Sequence, residues 1–214
     1  MNARGSVFYG AVGLEKELRD AREAGDWYYG DNAYFDRCRQ KFFRFTRNEF
    51  QPHAIGAPDF GRLKAVGATL FPWSSGGSHV VIVESSEHFH KLVGEPVGWL
   101  DRTLRKINSY TDRPLCVRRW RRDKGNAAAG LAEDLQGAWA LVTHMSAAAN
   151  EAVLAGVPAF VTGLCAATPM SAGPLSALES PRRPDGREEW AAWLAGQQWT
   201  LDELRRGVAW EALH

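Results

Sequence analysis

Residues 135–160, LQGAWALVTHMSAAANEAVLAGVPAF, decide the predicted fold of this chain. Residues 138–142 form an apolar run without a polar interruption, which is typical of a strand buried on both faces of a parallel sheet. Small and polar residues follow the run, and Ser146 can cap a helix over residues 147–155. The first half of the stretch therefore predicts a strand, a tight turn and a helix.

The second half of the stretch predicts a turn and another strand. Gly156 stands where helices usually end, and Pro158 cannot continue a helix. Residues 157–161 then resume the apolar run. A polar strand end that faces a helix N-terminus is where open α/β sheets bind phosphate-bearing ligands. The stretch is therefore a candidate binding site for such a ligand.

The flanking sequence repeats this alternation of strands and helices. An amphipathic helix is predicted over residues 99–110, with Trp99, Leu100, Leu104 and Ile107 on its apolar stripe. Strands are predicted at residues 79–83, 114–118, 138–142 and 159–162. This order predicts an α/β fold, with a doubly wound, Rossmann-like parallel sheet.

The domain organisation is predicted from a segment rich in Pro and Gly. Residues 51–63 contain two prolines and two glycines and are interpreted as a linker. We therefore expect a small N-terminal lobe over residues 1–64 and the Rossmann-like domain over residues 65–214. C-terminal helices are predicted at residues 187–195 and 201–212, the last with a capping box formed by Thr200 and Glu203.

Composition limits the class of protein. The 214 residues are 45% apolar and 24% charged, with a net charge of +1, as in ordinary soluble globular proteins. Cys38, Cys116 and Cys165 lack CxxC spacing, which favours a reducing, cytoplasmic location over disulfides or a zinc site. The charged N-terminus does not resemble a signal peptide, and no segment approaches the roughly 20 apolar residues of a membrane span.

The segment ALVTHMSAAANEAVLAGVPAFV resembles the nucleotide-binding half of GT-B glycosyltransferases. In that family a strand ends in a small polar turn, a helix carries Glu-Ala, and Gly-x-Pro opens the next strand. Residues 143–146, Glu151-Ala152 and residues 156–158 match these three features. The resemblance implies that the helix N-terminus near Ser146 holds the donor phosphate and that Glu151 binds the ribose of a nucleotide sugar. UDP-sugar 2-epimerases share this half, so the motif leaves transfer and epimerisation open.

Further donor-binding candidates follow from the geometry of parallel sheets. Carboxyl ends of parallel strands meet at one edge, so residues 84–88 and Arg118 should lie near residues 143–146. An arginine there could neutralise a diphosphate leaving group. Each of these residues also has a simpler explanation. The serines could be helix caps, His144 could bond the backbone, and Glu151 could lie on the surface of its helix. The predicted donor-binding residues are Ser85, Ser86, Arg118, Thr143, His144, Ser146, Asn150 and Glu151.

The predicted reaction uses a UDP-sugar co-substrate and no metal or other cofactor. The chain has no Asp-x-Asp pair for a divalent ion, no P-loop and no GxGxxG. An inverting transfer needs a base for the acceptor hydroxyl, and Asp31, in the aromatic and Gly-containing segment 25–35, is the candidate. Asp26, Asp36 and His53 are alternatives, and a turn-forming role would also explain Asp31.

Two basic clusters suggest a polyanionic acceptor. On a strand over residues 42–46, alternation would direct the basic residues to one face and the aromatic residues to the other. Basic residues can contact phosphates, and an aromatic side chain between them can stack on a base. A solvated charged surface is the simpler interpretation. The candidate nucleic-acid-binding residues are Arg37, Arg39, Lys41, Arg44, Arg47, Arg119, Trp120, Arg121, Arg122 and Lys124.

The leading functional hypothesis is a compact GT-B glycosyltransferase whose acceptor is a 5-hydroxymethylated pyrimidine in DNA. The chain resembles phage enzymes of that class, which extrude the target base from the duplex. A cell-envelope saccharide transferase and a UDP-sugar epimerase-like enzyme are alternatives. A non-catalytic nucleic-acid-binding module is the alternative from a different functional class.

Overall fold

The computed structural model describes residues 5–35, 41–119 and 130–214. These residues form two compact units. The first consists of the described residues of Met1–Ala68 together with Glu189–His214, and the second is formed by those of Thr69–Glu188. Among the described residues, no helix has the length and apolar character needed to cross a bilayer.

The first unit is built on a mixed sheet of the order β1-β2-β3-β8. Strand β1 runs parallel to β2, whereas β2–β3 and β3–β8 are antiparallel pairs. The strands are β1 (Ser6–Tyr9), β2 (Trp27–Asn32), β3 (Phe42–Arg47) and β8 (Gln198–Thr200). The helices are α1 (Glu15–Ala24), α2 (Phe60–Val66), α7 (Arg187–Gly196, beginning in the second unit), α8 (Leu201–Arg205) and α9 (Val208–Ala212).

The C-terminal segment differs from the domain division expected from sequence. Strand β8 pairs with β3, with Trp199 opposite Phe43, so the segment from Glu189 onward belongs to the first unit and not to the Rossmann-like domain. A strand of three residues is too short for an alternating pattern to reveal it. The predicted helix over residues 201–212 is also divided, because Gly207 adopts a left-handed φ of +81° between α8 and α9. The predicted capping box of Thr200 and Glu203 is confirmed.

The predicted separation of basic and aromatic faces on β3 is wrong. Phe42, Arg44 and Thr46 are the buried positions of the strand, whereas Arg47 is exposed. Alternation correctly gives Arg44 and Arg47 opposite faces, but Arg44 is on the buried one. Its register partner is Asp31 on β2, a pairing that sequence spacing cannot reveal.

The second unit contains an all-parallel sheet of the order β5-β4-β6-β7, which confirms the predicted Rossmann-like α/β architecture. The strands are β4 (His79–Val83), β5 (Leu115–Arg118), β6 (Ala138–Thr143) and β7 (Ala159–Val161). The helices are α3 (Glu87–Val93), α4 (Trp99–Asn108), α5 (Leu131–Asp134) and α6 (Ala148–Leu154). Each predicted strand of this domain is present, with ends shifted by at most one residue.

Strands β4 and β6 contribute alternate side chains to a common core. Val80 and Ile82 of β4 pack with Ala140 and Val142 of β6, and all four are completely buried. The predicted apolar stripe of α4 covers them, with Trp99, Leu100 and Ile107 in the same core. Full burial of one such aliphatic side chain contributes about 1.5–3 kcal/mol, so this packing fixes where the polar strand ends lie.

The strand order reverses direction at β4. Strand β5 lies on one side of β4 and β6 on the other, so the connection that leaves β4 towards β5 and the one that leaves β6 towards β7 run in opposite directions. Open α/β sheets bind ligands outside the carboxyl ends of strands at such a reversal. The candidate site of this unit is therefore the carboxyl edge formed by residues 84–86 and 143–146.

Candidate functional site

The two turns at the carboxyl edge are tied together by Thr143. Its hydroxyl donates a hydrogen bond to the carbonyl oxygen of Val83, 2.7 Å away. The side chain is completely buried. Thr143 therefore joins the ends of β6 and β4, and its expected contact with the donor stays a prediction.

Serine residues accept hydrogen bonds from the start of both helices that leave this edge. The Ser86 hydroxyl accepts the backbone N–H of Phe89 at 3.2 Å at the start of α3. The Ser146 hydroxyl accepts the backbone N–H of Ala148 at 3.2 Å at the start of α6. The capping prediction is confirmed for Ser86, whereas the N-cap residue of α6 is Ala147 and Ser146 bonds the helix from the position before it. A phosphate role for either serine stays a prediction.

His144 is held by a hydroxyl that sequence reasoning missed. Its Nδ1 lies 2.9 Å from the Thr162 Oγ1, and the indole Nε1 of Trp99 donates to the same oxygen at 2.9 Å. The other ring nitrogen, Nε2, lies 3.9 Å from a Glu95 carboxylate oxygen. Thr162 stands directly after a buried strand, and this position is the sequence signal that could have identified it as a site residue.

Gly163 allows the His144 ring to lie against the backbone. A Cβ at this position would come within 2.7 Å of both the His144 Cε1 and the Met145 Cγ. The backbone N–H of Gly163 donates to the carbonyl oxygen of His144 at 3.0 Å. Residue 163 must therefore be glycine for His144 to keep this position.

A second histidine, His90 of α3, packs beside His144. The ring centroids are 5.3 Å apart, and both side chains are about 95% buried. Burial lowers the pKa of each imidazole from its ordinary value of 6.5, more than the nearby Glu95 raises it. Both rings are therefore neutral near pH 7 and can accept or donate a hydrogen bond.

Three buried polar atoms of this unit have no hydrogen-bond partner among the described residues. They are the Ser85 Oγ, the His90 Nε2 and the Asn150 Nδ2. An unsatisfied buried polar group costs about 1–3 kcal/mol, so native proteins seldom keep one without a functional reason. Ser85 and Asn150 belong to the predicted donor-binding residues, and His90 does not.

An open cavity of about 230 Å³, here called the α3–α4 cleft, adjoins this edge. Among the described residues its lining is rich in carboxylates, with few cations. The lining comprises Glu84, Glu87, Glu95, Asp101, Lys91, Arg119, His90 and residues 97–100. The described lining is therefore net acidic.

Arg118 and Glu151 stay predictions as donor-binding residues. Arg118 forms an ion pair with Asp134 of α5, so a donor phosphate would have to compete with this carboxylate. Glu151 is half-buried on α6, one position after the completely buried Asn150. Its place at the start of the helix after β6 agrees with the motif.

Asp31, the candidate base, is already engaged within the first unit. Its carboxylate accepts from Arg44 Nη2 at 2.8 Å, from the Tyr29 hydroxyl at 3.3 Å and from the Asn32 backbone N–H at 2.7 Å. Arg44 also donates to the carbonyl oxygens of Asn32 and Phe50. A catalytic role for Asp31 stays a prediction, and the contacts assign it a structural one.

The basic residues divide into three groups. Arg44 is buried and cannot contact nucleic acid, which corrects that prediction. Lys41 and Arg119 are exposed, and so is Arg47, which pairs with Asp26 at 3.3 Å. Outside the described residues lie Arg37, Arg39, Trp120, Arg121, Arg122 and Lys124, and also Asp36, an alternative base.

Comparison of this chain with known proteins finds a distant structural likeness. The chain matches no protein-family model and none of the curated proteins. Among solved structures it is similar to KpsC of Thermosulfurimonas dismutans, a beta Kdo 2,7 transferase, with a TM-score of 0.47 and 11% sequence identity. The match covers 96% of this chain and 84% of that one. The site is therefore interpreted from its own geometry.

Proposed function

We propose that this chain is a glycosyltransferase of compact GT-B type that transfers a sugar from a UDP-sugar to a hydroxyl acceptor without a metal. The observation that carries the proposal is the carboxyl edge at the reversal of the parallel sheet. Two polar atoms of the predicted donor site, the Ser85 Oγ and the Asn150 Nδ2, are buried there without a partner among the described residues. A bound donor would satisfy them.

The proposed donor site combines this edge with the Glu-Ala…Gly-x-Pro motif. The turn at Ser146 faces the donor phosphates, and Glu151 hydrogen-bonds the ribose, as in the family that the sequence resembles. Arg118, at the end of β5, offers a cation for the developing charge of the diphosphate once it exchanges its ion pair with Asp134 for the phosphate. No group of three or more His, Cys, Asp or Glu in the described part of the chain could hold a metal ion, so none is assigned here.

The chemical step breaks the bond between the anomeric carbon and the diphosphate and forms a bond to the acceptor oxygen. The acceptor hydroxyl loses its proton to a base, and the diphosphate leaves with the electron pair of the broken bond. Asp31 stays the proposed base. Because it is ion-paired, it would have to exchange the Arg44 guanidinium for the hydroxyl.

A 5-hydroxymethylated pyrimidine of DNA is the first proposed acceptor. The exposed Lys41 and Arg119 support contact with a phosphate backbone. A cell-envelope saccharide is the second, and the acidic lining of the α3–α4 cleft favours it because carboxylates repel a polyanion.

Mass spectrometry of acceptors incubated with the protein and a panel of UDP-sugars tests this proposal. We expect hydroxymethylcytosine-containing DNA to gain the mass of one sugar, and Glu151→Ala to abolish the gain. Glu188→Gln, an exposed change on α7, is the matched control and should leave it intact.

The remaining outcomes separate the alternatives. A mass gain on a saccharide alone would replace the DNA acceptor, and a converted donor without transfer would indicate an epimerase. Salt-sensitive DNA binding without affinity for any UDP-sugar would indicate a binding module and contradict the enzyme.

A further inference from the structure

We infer that the α3–α4 cleft binds a single uncharged sugar ring and excludes the phosphate part of the donor. The inference rests on the proposed function and deepens it, because it names which part of a substrate occupies this cavity. The cleft lies within the second unit and contains none of the residues to which the sequence motif assigns phosphate or ribose.

The charge of the cleft selects hydroxyl groups over phosphate. The carboxylates of Glu84, Glu87, Glu95 and Asp101 outnumber the cations of Lys91 and Arg119 in the described part of the lining. A carboxylate accepts strong hydrogen bonds from hydroxyl donors and repels an anion. Arg102 forms an ion pair with one carboxylate oxygen of Glu95, which fixes the orientation of this side chain.

His90 is an independent sign that a ligand belongs here. It lines the cleft, is about 94% buried, and its Nε2 has no partner among the described residues. Burial keeps the ring neutral near pH 7, so the Nε2 can exchange a hydrogen bond with a hydroxyl. The Trp99 ring beside it supplies an apolar wall.

Size and carboxylate spacing restrict the ligand to one ring. The volume of about 230 Å³ is below the roughly 300–1,000 Å³ of pockets for drug-sized ligands, which favours enclosure of a single ring. The described carboxylates do not converge as metal ligands do, because no set of three or more could hold an ion. We therefore assign them to the hydroxyl groups of a ligand and not to a metal ion.

Ligand binding to the full chain tests the inference. Glucose, galactose and N-acetylglucosamine would be titrated by saturation-transfer NMR, and UDP and UDP-glucose by calorimetry. In the double variant Glu87→Gln with Asp101→Asn, both exposed positions, we expect sugar affinity to fall about tenfold and UDP affinity not to fall. Glu188→Gln is the matched control, and His90→Gln should weaken sugar binding if its melting temperature is retained.

The inference is overturned if no sugar binds, or if the double variant binds sugar as the control does. It is also overturned if the double variant loses its affinity for UDP. A different outcome separates the two proposals. If the double variant weakens sugar binding but the wild-type chain binds neither UDP nor UDP-glucose, the proposed function is refuted and the cleft remains a sugar site. Displacement of glucose by UDP-glucose would identify the donor as the source of the sugar, and displacement only by a saccharide would identify the acceptor.

Discussion

At the carboxyl edge of the second sheet, a single hydroxyl serves two buried rings. Thr162 accepts from the Trp99 indole and bonds the His144 Nδ1, each at 2.9 Å. With the Thr162 hydroxyl donating to the Nδ1, the Nε2 of His144 carries the proton and faces Glu95. His144 thus has a fixed orientation before any ligand binds.

Replacing Thr162 by Val should destabilise the protein by about 1–2 kcal/mol, because two buried ring nitrogens lose their partner. Urea denaturation would measure the change in the free energy of unfolding. Thr162→Ser keeps the hydroxyl and serves as the control. Equal stability of the Val and Ser variants would show that the hydrogen bonds contribute nothing net.

The buried histidines should make stability depend on pH. Because burial lowers the pKa of His90 and His144 below 6.5, the unfolded chain binds protons first as the pH falls. Above about pH 7.5 both histidines are neutral in the folded and in the unfolded chain, so they add no pH dependence to stability. Below about pH 6.5 the free energy of unfolding should decrease, by up to about 1.4 kcal/mol per pH unit for each histidine.

Denaturation at a series of pH values between 8 and 5 would measure how the free energy of unfolding depends on pH. In the double variant His90→Gln with His144→Gln, the slope of this dependence should be smaller. A variant with the same slope as the wild type would assign the pH dependence to other groups.

Residue roles that depend on local sequence were predictable, and those that depend on tertiary partners were not. The hydrogen bonds that Ser86 and Ser146 accept from the start of α3 and α6 follow from the position of each serine before a helix. The burial of Arg44 depends on Asp31, which lies on the neighbouring strand. Sequence spacing gives no information on such a partner.

At the scale of elements, Gly156 fixes the end of α6 and the entry into β7. Its φ is +76°, a conformation that favours glycine. A Cβ there would also collide with the backbone carbonyl group of Pro72. The Gly-x-Pro part of the motif is therefore a packing requirement, whatever ligand the site binds.

Gly156→Ala should cost at least about 2 kcal/mol, since it adds a backbone collision to an unfavourable φ. Gly137→Ala is the matched control: its φ is +67° and a Cβ would meet nothing within 4 Å. We expect the control to cost only about 1 kcal/mol by thermal or urea denaturation. Similar losses in the two variants would exclude the collision as the cause.

Elements with long patterns were predicted, and short ones were missed. The apolar runs of β4 and β6 identified both strands to within one residue. Strand β8 has three residues and merges with the capping box of α8, so its pairing with β3 has no signal in the sequence. For the same reason the C-terminal segment was expected in the second unit.

At the scale of the whole molecule, the proposed donor-binding residues and the α3–α4 cleft lie in the second unit. Its parallel sheet and the reversal at β4 were predictable from the alternation of strands and helices. The α3–α4 cleft was not, because its lining combines a strand end, α3, α4 and the segment between these helices, and the sequence pattern does not show how they pack. The net charge of +1 also conceals the acidic lining of this cleft.

The central claim is that a nucleotide sugar binds at the carboxyl edge formed by β4 and β6. Hydrogen–deuterium exchange of the full chain, with and without each member of a UDP-sugar panel, tests the claim most directly. We predict that at least one donor protects the backbone amides of residues 84–90 and 143–151 and leaves those of α1 unchanged. No protection at these residues with any donor, or protection confined to the opposite sheet edge near residues 76–79, would contradict the claim.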